Sequence, residues 1–88
     1  CSSDLAIYPQ VLKNVRVTDK TQAQNDADVR AMVERAAKEL GTDGRILVRE
    51  SGTEPLVRVM VEAGNVETCE KYVDAVIDVI RSKGYVIE

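Results

Sequence analysis

The sequence predicts an α+β domain, a small and mostly antiparallel sheet with two helices covering one of its faces. Three observations carry that expectation. Val29, Met32, Val33, Ala36, Ala37 and Leu40 recur every three or four residues, as one stripe of a helix does. Val66, Cys69, Tyr72, Val73, Val76, Ile77 and Ile80 repeat the same period further along. Between the two stripes, RILVR and LVRVMVEA alternate apolar and polar side chains, the period of a strand with one buried face. The resulting order, β-α-β-β-α-β, suits helices packed as one layer on a sheet.

Each element has local reasons to start and stop. Pro9 lacks a backbone donor and restrains Tyr8 to extended geometry, so LAIYPQ reads as a linker feeding a strand at about Val11 to Val17. DKTQAQ is polar, offers nothing to a core and reads as a loop. Asn25 or Asp26 caps the first helix, Asp28 favours the positive end of its dipole, and Gly41 ends it. TDG then turns the chain into RILVR, with Ile46 and Val48 on one face and Arg45, Leu47 and Arg49 on the other. In the next strand Val57, Val59 and Val61 oppose Arg58, Met60 and Glu62. Asn65 caps the second helix, Gly84 closes it, and YVIE supplies a short edge strand. Residues 1–10 are the linker and 11–88 the domain. No internal repeat or low-complexity tract is visible.

Composition removes whole classes of function. At 88 residues the chain buries only roughly 60–65% of its unfolded surface, enough for one core. With 44% hydrophobic residues and a net charge of −3 it is neither disordered nor broadly attractive to nucleic acid, and no basic cluster makes up the difference. The absence of histidine removes the usual general base and the commonest zinc ligand. No apolar run is long enough for a membrane span. Cys1 and Cys69 lack metal or redox spacing, so a reduced, cytoplasmic setting is the simpler reading. The CSSD start fits either an excised fragment or a lipid-bearing mature lipoprotein. Met32 and Met60 read as core filler, Cys69 as a packed thiol, and Arg45 and Lys71 as solvated.

One stretch stands out, RESGTEPLVR from Arg49 to Arg58. Two arginines at strand ends enclose Ser51, Gly52 and Thr53. Hydroxyls donate to an oxyanion, glycine tolerates a positive φ that turns successive N–H groups toward one point, and guanidinium matches a phosphate face with two parallel hydrogen bonds. Glu54, just before Pro55, is placed to buttress an arginine, while Glu50 faces water. Residue types alone leave two readings open, a phosphate cradle and an ordinary hairpin loop.

Beyond composition, GRILVRESGTEPLVRVMVEA resembles the C-terminal signature of the alpha-D-phosphohexomutases, and YPQVLKNVRV resembles the join between their third and fourth domains. The resemblance covers nearly the whole chain and leans toward the branch that interconverts glucosamine 6-phosphate and glucosamine 1-phosphate. It implies a TATA-binding-protein-like fourth domain that grips the phosphate not being transferred. A phosphoserine, a magnesium site and a sugar-reading loop reside in the other three domains. Carried onto this chain, phosphate contacts fall on Arg49, Ser51, Gly52 through its backbone, Thr53 and Arg58, with Glu54 as loop support. No catalytic residue and no metal ligand is implied here, so the fragment alone is expected to be inactive. The partners implied are a phosphosugar and the parent's other domains, with neither nucleic acid nor membrane. The alternatives are the same domain of a phosphomannomutase or phosphoglucomutase, and a non-enzymatic α+β binding module. A base-stacking role would call for aromatics on the central strands, which carry none.

Overall fold

The alternating stretches become the strands of one sheet in the computed structural model, which describes residues 9–87. In chain order the elements are β1 (Gln10–Arg16), α1 (Lys20–Asn25), α2 (Ala27–Leu40), a 3-10 turn (Gly41–Asp43), β2 (Arg45–Glu50), β3 (Leu56–Glu62) and α3 (Val66–Ser82). The sheet order is β1-β3-β2, with both pairings antiparallel. β3 is therefore central, and its Val57, Val59 and Val61 are fully buried. Val15, Val17 and Ile46 flank them, while Val29, Ala36, Cys69, Val73, Val76 and Ile80 close the core from the helix side. Each buried valine or isoleucine contributes about 1.5–3 kcal/mol over the exposed state, so the central strand is the energetic axis of the domain.

The helices begin and end largely where capping chemistry places them. Asp26 accepts from the Asp28 N–H at 2.8 Å and the Val29 N–H at 3.4 Å, and Asn65 accepts from the Thr68 N–H at 2.8 Å. Gly41 takes φ 66° at the end of α2, and Gly84 takes φ 86° just beyond α3. Gly44 serves differently. A Cβ there would lie 2.8 Å from the Glu62 carbonyl oxygen and 2.9 Å from Leu40 Cβ, so close packing of β2 against β3 and α2 requires glycine.

Two expectations change. DKTQAQ is not a loop, because Lys20–Asn25 forms α1, capped by Asp19 accepting from the Gln22 N–H at 3.1 Å. A six-residue helix does not stand alone, and α1 persists through its buried Ala23 and its contacts with α2, β2 and β3. YVIE forms no regular strand among the described residues. Val86 makes a single antiparallel bridge to Val17, framed by Thr18 N–H to Tyr85 O at 2.8 Å and Ile87 N–H to Arg16 O at 2.9 Å. Pairing stops there because the chain beyond Val17 turns away into the α1 cap. Cys1 and most of the 1–10 linker lie outside the described residues.

Candidate functional site

Residue parity decides what the uncovered face of the sheet carries. Leu12, Met60 and Leu47 are cross-strand partners, as are Asn14, Arg58 and Arg49 in the next row toward the hairpin. Arg16, opposite Leu56, adds another guanidinium at that end. Arg49 and Arg58 thus leave adjacent strands on the same side, at the rim of an open depression of about 390 Å³ lined also by Leu12, Leu47 and Met60. Met60 belongs to this surface rather than to the core, since Val59 and Val61 on either side of it point inward. Neither Arg49 nor Arg58 forms an ion pair with a carboxylate among the described residues.

The connecting loop, residues 51–55, is tied down at its base and open at its tip. The Ser51 N–H donates to Leu56 O at 2.8 Å, the Leu56 N–H to Glu54 O at 2.8 Å, and the Val17 N–H to Pro55 O at 2.9 Å. The Glu54 N–H donates to Ser51 Oγ at 3.3 Å, which leaves the Ser51 hydroxyl proton for another acceptor. Gly52 and Thr53 are exposed, and their N–H groups have no protein partner among the described residues. The tip thus carries adjacent unpaired amides, and the neighbouring strands carry paired guanidiniums.

The details depart from the sequence reading in three places. Gly52 does not adopt a positive φ, which among the described residues belongs to Gly41 and Gly84. Its openness matters instead, because a Cβ there meets nothing within 4 Å. Glu54 supports the turn through its backbone N–H and carbonyl, and its carboxylate pairs with neither arginine among the described residues. Glu50 does not merely face water, since its carboxylate accepts from Thr21 Oγ1 at 3.1 Å and its N–H donates to Gln24 Oε1 at 3.1 Å. With Lys20 Nζ donating to Ser51 O at 2.6 Å, α1 grips the root of the loop by three hydrogen bonds. Sequence reasoning missed Lys20, Thr21 and Gln24, because their partners lie 31, 29 and 26 residues away.

No group of three or more His, Cys, Asp or Glu side chains among the described residues is placed to hold a metal. Cys69 is buried and donates its thiol to Pro9 O at 3.3 Å. No helix of the described chain is long and apolar enough to cross a membrane.

Comparison with known proteins shows the family. The family model for the phosphoglucomutase/phosphomannomutase C-terminal domain matches residues 12–79. Phosphoglucosamine mutase of Lachnospira eligens is 77% identical over 86 residues, spanning 98% of this chain and 19% of that protein. The Bacillus subtilis phosphoglucosamine mutase is 49% identical over 82 residues, spanning 93% of this chain and 18% of its own length. The chain therefore spans about a fifth of the curated relatives it matches. Among solved structures, Aspergillus fumigatus N-acetylphosphoglucosamine mutase with glucose 1,6-bisphosphate superposes with a TM-score of 0.75 at 24% identity, covering 90% of this chain and 16% of that one. The same enzyme with GlcNAc-6P and magnesium gives 0.72 at 23% identity, covering 88% and 16%. Such identities speak for the fold, and the family match and the bacterial relatives carry the assignment: the chain belongs to the phosphoglucomutase/phosphomannomutase C-terminal domain family.

Proposed function

We propose that this chain is the phosphate-gripping C-terminal domain of a cytoplasmic phosphoglucosamine mutase, which interconverts glucosamine 6-phosphate and glucosamine 1-phosphate. The observation that carries the proposal is the cross-strand pair Arg49 and Arg58, without a carboxylate partner among the described residues, beside the open amides of Gly52 and Thr53. Like charges placed opposite each other on a sheet are unfavourable, and a dianion relieves them. Identity to the bacterial amino-sugar mutases favours that sugar over those of the sister branches.

In this reading each residue has a task. Arg49 and Arg58 neutralise the dianion and meet its oxygens with charge-assisted hydrogen bonds. The N–H groups of Gly52 and Thr53 and the hydroxyls of Ser51 and Thr53 complete the shell, and Glu54 keeps the turn closed. Phosphoryl transfer depends on positioning and charge stabilisation, and a grip on the remote phosphate contributes binding energy that aligns the reacting oxygen. Because both phosphates of a sugar bisphosphate must suit the site in turn, a loop that reads the dianion and ignores the sugar serves a reaction whose intermediate turns around. Magnesium and the phosphoryl donor would come from the other domains of the parent protein, as the family resemblance implies.

The test is a titration of the ¹⁵N-labelled chain with inorganic phosphate and glucosamine 6-phosphate. Shifts concentrated in residues 49–58, with affinity of about millimolar for a solvent-open site, are expected for both ligands. Amide shifts elsewhere with silence across that segment would overturn the reading in favour of a binding module with a plain hairpin.

A further inference from the structure

α1 has a feature its own stability does not explain. Its first residue is Lys20, a cation at the helix end where partial positive charge accumulates and carboxylates are favoured. The turn itself holds no acidic residue, and the carboxylate at this end is that of the N-cap, Asp19. Nor does Lys20 pair with a carboxylate among the described residues, although the residue is half-buried. Its Nζ donates instead to the backbone carbonyl of Ser51 at 2.6 Å. That oxygen belongs to the same peptide unit as the Gly52 N–H, one of the open amides at the loop tip.

We infer that Lys20 is a positioning residue of the phosphate site, acting through the Ser51–Gly52 peptide; the inference rests on the function proposed above. An ammonium bound to a carbonyl oxygen draws electron density from the peptide nitrogen, so the N–H at its far side becomes a stronger donor to an anion. Hydrogen bonds chained in this way reinforce one another by about 10–30% each. The same bond fixes the plane of the peptide and so the direction in which the Gly52 N–H points. Thr21 and Gln24 hold the preceding residue, Glu50, by its carboxylate and its N–H, so the peptide is fixed from one side by a single short helix. Lys20 also adds positive charge behind a site whose front carries Arg49 and Arg58, which raises its preference for a dianion over a monoanion.

The experiment compares the ¹⁵N-labelled chain with its Lys20→Met, Lys20→Arg and Arg58→Gln variants, titrated with inorganic phosphate. Methionine keeps most of the half-buried stem, so amides outside residues 16–24 and 49–58 should superimpose on the parent spectrum. Before phosphate is added, the Gly52 amide proton of Lys20→Met should move upfield. The variant's Kd should rise on the order of three- to tenfold, and arginine, which also donates to a carbonyl, should recover most of that loss. If the parent chain responds to phosphate, Arg58→Gln weakens that response about tenfold or more, and Lys20→Met stays within twofold of the parent, the role of Lys20 is refuted and the site stands. If arginine fails to rescue and amides shift throughout the domain, Lys20 is only a structural tether and the inference is likewise refuted. If the parent chain does not respond at residues 49–58, the proposed function falls and the role of Lys20 falls with it.

Discussion

Replacing Arg58 with glutamine should move stability and ligand binding in opposite directions. Arg58 and Arg49 are Cα partners in the β2–β3 register, which sets their Cβ atoms about 4.5–5.5 Å apart on one face. For a guanidinium separation of about 7 Å, two unit charges in water repel by about 0.6 kcal/mol. At physiological ionic strength the Debye length is about 8 Å, so somewhat less than half of that survives. Arg58→Gln should therefore stabilise the phosphate-free domain by about 0.3–0.6 kcal/mol, or about 1–5 °C in Tm for a domain this size. The gain should be larger at low salt and vanish at high salt. Phosphate affinity should fall about 10- to 100-fold, the worth of a hydrogen bond to a charged group. Urea unfolding at two ionic strengths, paired with the amide titration, reads both quantities. A loss of stability that is the same in low and high salt would mean the guanidiniums do not repel. An unchanged phosphate affinity would remove Arg58 from the site.

Gly52→Ala should leave urea stability within about 0.5 kcal/mol, since a Cβ meets nothing within 4 Å. It should nonetheless weaken phosphate binding in the titration, because the methyl group stands beside the amide that approaches the ligand. Gly44→Ala should cost about 1–3 kcal/mol by urea unfolding, as its Cβ would press on the Glu62 carbonyl at 2.8 Å and Leu40 at 2.9 Å. The Tyr85 hydroxyl, donating at 2.7 Å, is the main cause that holds the Asp26 carboxyl below its ordinary value, helped by the Asp28 and Val29 N–H groups and by Lys83. A lowered folded pKa contributes stability that is complete above the unfolded value of about 3.9 and is lost as pH falls through the lower folded one. Urea midpoints should therefore drop below about pH 4, and Asp26→Asn should flatten that drop.

How much of this was legible in the sequence depends on the range of the interaction. The buried faces of β2 and β3 followed from alternation alone, since Ile46, Val57, Val59 and Val61 can sit on one side only. Asp26 and Asn65 were readable as caps because a cap bonds to residues two or three positions away. α1 was not, because it carries no apolar stripe, buries only Ala23, and is held by contacts with distant β2 and β3. The arginines of the hairpin were visible as residue types, but that Asn14 shares the row of Arg58 and Arg49 requires the β1-β3-β2 order. The Gly52 backbone was misjudged for a related reason: hydrogen bonds within the loop and from Lys20 shape the turn, and they leave its φ negative or extended.

The loop combines two requirements that ordinarily conflict. A ligand-binding turn must leave donors unpaired, yet unpaired donors and adjacent like charges loosen a hairpin. Here the two demands are met by different atoms of the same few residues. Ser51 spends its N–H, its carbonyl and an Oγ lone pair on the fold, and only its hydroxyl proton remains for a ligand. Glu50 is fixed from α1, Glu54 closes the turn with its backbone, and Pro55 accepts from Val17, just past β1. What is left unsatisfied, the amides of Gly52 and Thr53 and the guanidiniums of Arg49 and Arg58, is exposed, where water can satisfy the donors. Anion binding as proposed would then need little reordering of the backbone, and little of the interaction energy would go into arranging the site.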